Sequence, residues 1–312
     1  MAGGSGLLVL GDWGTSHLRL WLCDGDSVLD TRAGPGLAPL NAAGHRPAEV
    51  FVAEISPWRR AHGALGALLC GMIGSNIGWA DAGYVACPAA PQDLADAVIE
   101  VTASDGAHCL IVPGLACSGL LGGPDVMRGE ETQIVGALAL LPGLTTGRHL
   151  LCLPGTHSKW AIVEQGATIA FQTALTGELF AVLQANSILL ARNLMPASDE
   201  GFDEGVARVR DAGPEHVLQL LFETRSRQLR LGMTPAHATG FLSGLLVGAE
   251  IAAMAGLATA APGSVVLVGA PPLTALYARA LAVFGHQASA IDGELAARTG
   301  LQRLHTLRSD GS

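Results

Sequence analysis

Apolar runs of five to ten residues alternate with polar turns marked by glycine, and their spacing switches between strand-like alternation and a helical period. The pattern predicts strands over 7–12, 18–23 and 27–32, then a helix over 47–61 with Pro47 in its first turn, where a missing N–H costs little. The apolar stretch 64–73 reads as a buried strand running into a glycine- and polar-rich turn, Gly74 to Trp79. Gln92 to Val101 has a helical pattern, and His108 to Val112 reads as a strand. A similar unit then restarts, with a helix over 129–141, strands over 149–153, 159–164 and 167–172, and a helix over 176–194. Further helices are predicted over 203–211, 214–229 and 235–257, followed by a strand over 264–268 and helices over 273–285 and 293–307. Three meandering strands followed by crossover units imply a mixed sheet carrying helices.

The glycine-rich segment Pro113 to Pro124 is the best hinge candidate, which divides the chain into 1–118 and 119–312. The last helix is placed to pack back on the first part. No repeat with a period of 20 to 50 residues is visible. What does recur is a strand–turn–strand hairpin, and that points to two similar lobes.

Bulk properties narrow the class. A chain of 312 residues with 49% hydrophobic and 14% charged residues has the content of a packed globular enzyme. A net charge of -9 with no basic patch argues against a nucleic-acid partner, while leaving room for an anionic substrate held by local donors. The six cysteines show no C-x-x-C pair and sit in apolar runs, as reduced core thiols of a cytoplasmic protein do. No signal peptide is apparent, and the longest apolar stretch, Gly244 to Leu257, is interrupted by Glu250 and is short for a membrane span.

The two hairpins carry the candidate chemistry. The first is Gly11-Asp12-Trp13-Gly14-Thr15-Ser16 and the second is Pro154-Gly155-Thr156-His157-Ser158-Lys159. Each follows an apolar strand. Glycine there lets backbone N–H groups approach an anion, and the flanking hydroxyls add donors. Asp12 repels phosphate, so its sensible role is to hold a hydrated Mg²⁺ that bridges phosphates. Two such turns in one chain suggest a nucleotide clamped between two halves, with Asp12 and Thr156 facing each other across a cleft.

Six segments in order resemble the 2-dehydro-3-deoxygalactonokinase family, a sugar-kinase branch of the actin and hexokinase superfamily. They are Asp12 to Ser16, Gly71 to Trp79, Val126 to Gln133, Pro154 to Trp160, Leu175 to Leu179 and Phe241 to Glu250. The sequence departs from the family at His17, where Asn is common, at Ser158, where Cys is common, and at Pro271 and Pro272, where small polar residues are usual. The resemblance implies an α/β, two-lobed ribonuclease H-like (actin/hexokinase-like) fold, with mixed sheets flanked by helices and an interdomain cleft. It implies a sugar-binding first lobe, an ATP-binding second lobe, and ATP with Mg²⁺ as cofactors. The implied acceptor is 2-dehydro-3-deoxy-D-galactonate, phosphorylated on its terminal hydroxyl. A kinase of another sugar or sugar acid, or a nucleotide-switched regulatory protein, are the alternatives. A monomer or a homodimer fits equally.

Within that frame Gly14, Thr15 and Ser16 face the γ-phosphate, and Gly155, Thr156, His157 and Ser158 the β-phosphate, with Lys159 as a helper or a solvated strand lysine. Related sugar kinases carry their catalytic acid at a helix start before the second turn, and Glu130 falls there as the general base. Glu131 remains open as its rival, and both also suit the positive end of a helix dipole. Arg128 offers a planar fork for the substrate carboxylate. Ser75 and Asn76 would bind hydroxyls, with Trp79 and Trp13 against the carbon face; Trp79 is otherwise a core residue and Asn76 a turn former. Thr176 and Glu178 would line the cleft from the second lobe. The strand end Gly269-Ala270 looks like an adenosine loop, and Gly244 on a helix face would permit close packing beside the adenine.

Overall fold

The computed structural model describes residues 6–103, 105–190, 195–257 and 264–310. Strands β1 (Leu7–Trp13), β2 (His17–Asp24) and β3 (Ser27–Pro35) lead into helices α1 (Leu37–Ala42) and α2 (Pro47–His62). Next come β4 (Gly66–Cys70), β5 (Tyr84–Ala86), α3 (Pro91–Asp96), β6 (Ile99–Thr102), β7 (His108–Ile111), β8 (Gly114–Ser118), β9 (Pro124–Met127) and α4 (Glu130–Leu140). The remainder comprises β10 (Arg148–Leu153), β11 (Ser158–Glu164), β12 (Ala167–Ala174), α5 (Thr176–Asn186), α6 (Asp199–Ala212), α7 (Val217–Leu231), α8 (Pro235–Leu257), β13 (Val265–Gly269), α9 (Pro271–Val283), β14 (Ala288–Asp292) and α10 (Gly293–Asp310). Residues 191–194, part of the helix expected over 176–194, lie outside the described residues.

Two compact units result. The first takes the described residues up to Gly147, the segment Glu164–Ala170, and everything from Gly293 onward; the second takes Arg148–Val163 and Phe171–Asp292. Residues 119–147 thus pack with the first unit. The segment 113–124 is no hinge: β8 and β9 pair antiparallel, β5 pairs with β8, and Gly119 to Gly123 forms their connecting turn. Its glycines serve that turn, where Gly122 has φ +84. The helix expected over Gln92 to Val101 stops at Asp96, and Ile99–Thr102 is strand β6. Ile99, Val101 and Thr102 are β-branched and fit an extended backbone better.

The main sheet of the first unit runs β3-β2-β1-β4-β7-β6, with β1–β2 and β2–β3 antiparallel and β1–β4–β7 parallel. The second sheet runs β12-β11-β10-β13-β14, with β10–β13–β14 parallel. Both therefore place three consecutive strands on one side and two parallel crossover strands on the other, and the first adds β6 as an antiparallel edge strand. The repetition absent from the sequence is present in strand order.

In the first unit, Val9, Leu18, Leu20 and Leu22 meet Phe51, Ile55 and Trp58 of α2, an i, i+4, i+7 stripe. Helices α4 and α10 touch backbone to backbone: a Cβ on Gly136 would lie 1.8 Å from the Ala296 carbonyl oxygen, and one on Gly300 would lie 1.9 Å from that of Thr132. Gly300→Ala should lower the melting temperature by about 5 °C or more, because neither backbone has a flexible end to yield. A thermal melt unchanged from the parent protein would show that the two helices can spread at no cost.

In the second unit α8 is long and apolar enough to cross a membrane by length and composition, yet 72% of its apolar window is buried inside the protein. Phe241, Leu242, Leu245 and Leu246 supply core clusters there. Gly240, Gly244 and Gly248 face α6, where Ser198 caps the first turn by accepting from the Gly201 N–H at 3.0 Å.

Candidate active site

In a mixed sheet the carboxyl ends of parallel strands beside the point where the strand order reverses form a natural crevice. In the first unit that point lies between β1 and β4. β1 delivers Asp12 there, opposite Arg19 of β2 and Cys70 of β4. Gly71, with φ +89, turns the chain so tightly that a Cβ would lie 2.8 Å from the Trp13 carbonyl oxygen and 3.2 Å from Asp12 Oδ1. A Cβ on Gly129 would in turn lie 3.3 Å from Gly71 Cα, and one on Gly74 would lie 3.0 Å from Arg128 Nη1. The structure therefore brings Asp12, the 71–75 turn, Arg128 and the start of α4 together.

Asp12 is half-buried, and Arg19 Nη1 lies 3.8 Å from Oδ2. Burial pushes its carboxyl above the ordinary aspartate range, against the pull of Arg19. Thr15 and Ser16 are exposed, and the turn is braced by the start of α1: Leu37 N–H donates to Gly14 O at 3.1 Å and Ala38 N–H to Thr15 O at 2.9 Å. Arg128 has a side chain only 4% exposed. Its Nη2 donates to Gly83 O at 3.0 Å and its guanidinium stacks 4.4 Å from the centre of the Tyr84 ring. Among the described residues, Nε and Nη1 of Arg128 have no hydrogen-bond acceptor.

The two glutamates at the start of α4 differ. Glu130 is half-buried, and its Oε2 accepts from the Arg128 N–H at 3.2 Å. Glu131 is fully buried; its Oε2 accepts from the Gly129 N–H at 2.6 Å and its Oε1 from the Thr132 hydroxyl at 3.1 Å. Burial, reinforced by the neighbouring Glu130 charge, pushes the Glu131 carboxyl up to about 8. A carboxyl raised in the folded state favours folding below its unfolded value, and that contribution is lost as pH rises toward 8. The melting temperature of the parent protein should therefore fall relative to Glu131→Gln between pH 6 and 9, by about 5 °C or more. Parallel melting curves for the two proteins across that range would show Glu131 to be already ionised at pH 6.

The second unit repeats the layout at the ends of β10 and β13. Gly155 is half-buried, and Thr156 and His157 are exposed in the turn between β10 and β11. The start of α5 lies directly on it: Glu178 N–H donates to Thr156 O at 2.9 Å, and a Cβ on Gly177 would lie 2.4 Å from Gly155 O. His157 Nε2 and Glu178 Oε2 are 2.5 Å apart. A Cβ on Gly269 would lie 3.4 Å from Pro154 O, so the β13–α9 junction, with exposed Ala270, adjoins the same turn.

Several expected contact residues face elsewhere. Trp13 is fully buried, with Nε1 donating to Pro35 O at 3.1 Å, so it belongs to the core rather than to a sugar face. Trp79 packs against Phe51 at 5.8 Å between ring centres. Ser75 is buried and donates to Met72 O at 2.7 Å within its own turn, whereas Asn76 is exposed. Ser158 is buried against the Tyr277 hydroxyl at 2.9 Å, and buried Lys159 donates to the Thr173 hydroxyl at 2.8 Å; neither is free to reach a phosphate. Gly244 is filled by α6, since a Cβ would lie 2.1 Å from Phe202 O, which leaves no room for an adenine. Sequence reasoning missed Glu250 and Tyr277. The signal available for Glu250 was an acid inside an apolar helix.

Two mixed sheets that share the order of five strands, each with an exposed glycine–hydroxyl turn at its carboxyl edge, define the actin- and hexokinase-like class of α/β proteins. The 2-keto-3-deoxy-galactonokinase family model matches residues 12–304. A candidate 2-dehydro-3-deoxygalactonokinase of Rhizobium meliloti is 38% identical over 93% of this chain and 94% of its own. The 2-dehydro-3-deoxygalactonokinase of Escherichia coli is 35% identical over 94% and 95%. A crystal structure of a candidate 2-dehydro-3-deoxygalactonokinase from Sinorhizobium meliloti superposes with a TM-score of 0.85 at 36% identity, covering 95% of this chain and 97% of that one. The chain belongs to the 2-keto-3-deoxy-galactonokinase family.

Proposed function

We propose that this protein is a carbohydrate kinase that transfers the terminal phosphoryl group of ATP to the terminal (6-) hydroxyl of 2-dehydro-3-deoxy-D-galactonate, giving the 6-phosphate and ADP in galactonate breakdown. The observation that carries this is the full-length similarity to relatives of that name. A cytoplasmic monomer or homodimer is the setting proposed.

The residues present suit such a reaction. Phosphoryl transfer is largely positioning and charge stabilisation. Among the described residues no three His, Cys, Asp or Glu side chains converge on a metal position. That suits a hydrated Mg²⁺ held by Asp12 and the nucleotide's own phosphates, and suits a Ca²⁺-type cage poorly. When bound, ATP with its metal supplies the phosphoryl group and neutralises its charge. Thr15 and Ser16 in the first unit and Gly155, Thr156 and His157 in the second offer phosphate donors, with Ala270 beside the nucleoside; Gly14 offers none, because its N–H donates to His17 O at 2.9 Å and closes the turn.

The sugar acid is assigned to the first unit. Arg128 holds the substrate carboxylate: buried donors without acceptors are costly, and a bound anion gives this guanidinium the acceptors that Nε and Nη1 lack. Asn76 bonds a hydroxyl. Glu130 takes the proton of the terminal hydroxyl as that oxygen attacks; its half-exposed carboxylate is accessible, whereas Glu131 is enclosed.

The test is a coupled ADP-release assay over a panel of sugar acids and neutral sugars. The highest kcat/KM is expected for 2-dehydro-3-deoxygalactonate with Mg²⁺. ADP release with another acid, and none above background with this one, would leave the fold assignment intact and discard the substrate.

A further inference from the structure

We propose that Glu250, in the middle of α8, is a positioning residue for the nucleotide: its buried carboxylate locks the 154–157 turn, the start of α5 and helix α9 into one arrangement. This rests on assigning nucleotide binding to the second unit.

Glu250 is 6% exposed and sits in an otherwise apolar stretch. Trp160 Nε1, on β11 just past the turn, donates to Oε1 at 2.7 Å. The Tyr277 hydroxyl, on α9, donates to Oε2 at 2.8 Å. Ser158, also just past the turn, lies 2.9 Å from the Tyr277 oxygen and extends the chain of hydroxyls. Thr176, the first residue of α5, adds a further hydrogen bond to the carboxylate. One side chain thus ties three elements, and each of them adjoins Pro154 to Thr156 through the backbone contacts described above.

Packing gives no reason to keep an acid there. Desolvating a carboxylate is costly, and even a full set of donors only offsets that, so apolar residues replacing an acid and its donors together commonly serve stability as well. What the acid adds is direction. Its two oxygens fix where a tryptophan, a tyrosine and a threonine from separate elements must sit, and backbone donors bind phosphate well only when held near their productive geometry.

The test uses the full chain. Affinity for Mg²⁺·ADP is measured by calorimetry, and KM for ATP and for the sugar acid by the coupled assay, on the parent protein, Glu250→Met and Tyr277→Phe. Glu250→Met is expected to keep a cooperative thermal transition at a lowered temperature, since the Trp160 N–H and the Tyr277 and Thr176 hydroxyls lose their acceptor. It should weaken ADP and raise the KM for ATP by about tenfold or more, the scale of lost charge-assisted hydrogen bonds. Tyr277→Phe should give a smaller change in the same direction, and the KM for the acid should stay near the parent value in both. Parent-like ADP affinity in Glu250→Met overturns the proposal, as does a parallel rise in both KM values. If Glu250→Met shows no cooperative transition, Tyr277→Phe decides by the same ADP measurement, since it removes one hydroxyl at constant volume. A parent protein that binds no ADP would instead overturn the nucleotide assignment itself.

Discussion

Glu130→Gln should lower kcat by about 10²–10⁴-fold, the usual contribution of a positioned general base, and leave both KM values little changed. Glutamine keeps the shape and still accepts from the Arg128 N–H, as Glu130 Oε2 does at 3.2 Å, but it cannot take a proton. Glu131→Gln serves as the comparison. The Glu131 oxygens are occupied by the Gly129 N–H and the Thr132 hydroxyl inside the protein, so its effect should appear in pH-dependent stability and far less in turnover. Single-turnover rates would separate the two. Normal kcat in Glu130→Gln together with a large loss in Glu131→Gln would transfer the base to the buried neighbour. Normal turnover in both would leave the carboxylates at the start of α4 with a purely structural part in the dipole field of that helix.

Arg128→Met should raise KM for the sugar acid by about 30-fold or more, because removing one partner of a buried charged contact costs on the order of 2–5 kcal/mol. The effect on kcat should be smaller. Arg128 also donates to Gly83 O and stacks on Tyr84, so some loss of stability is expected as well. A neutral analogue lacking the carboxylate isolates the binding role. The parent protein should handle it poorly, and the variant should discriminate little between analogue and acid. Lysine is no substitute, since a point charge cannot reproduce the two-point fork. An unchanged KM for the acid in a folded Arg128→Met would show that the orphaned donors serve some other purpose.

Much of the fold was legible because hydrophobic spacing and turn chemistry agreed. The hairpins around Asp12 and Thr156, helix α2 after Pro47, and the start of α4 after Gly129 all stand where the spacing put them. The errors have local causes. Glycines at 119–123 resemble a hinge, yet they close the β8–β9 turn, and nothing short-range announces that β5 lies alongside. Lys159 and Ser158 look available in a turn, but β11 is buried on both faces, so its pattern carries no alternation to reveal which residues point outward. Trp13 follows an acid in a polar turn, and only the register opposite Leu18 shows it entering the core. Glu250 was visible as an anomaly in an apolar run. Its partners, Trp160 and Tyr277, lie 90 and 27 residues away, and no spacing rule joins them.

The unit that holds β1 to α4 is completed only by α10. Helix α10 closes against α4 at the Gly136–Gly300 contact, and the whole of Arg148–Val163 and Phe171–Asp292 is synthesised in between. A nascent chain leaving the ribosome therefore carries α4 uncovered until α10 has emerged, while the intervening unit can mature first. Chaperone capture during translation, and the harm done by truncation before α10, should fall on the unit that holds β1 to α4.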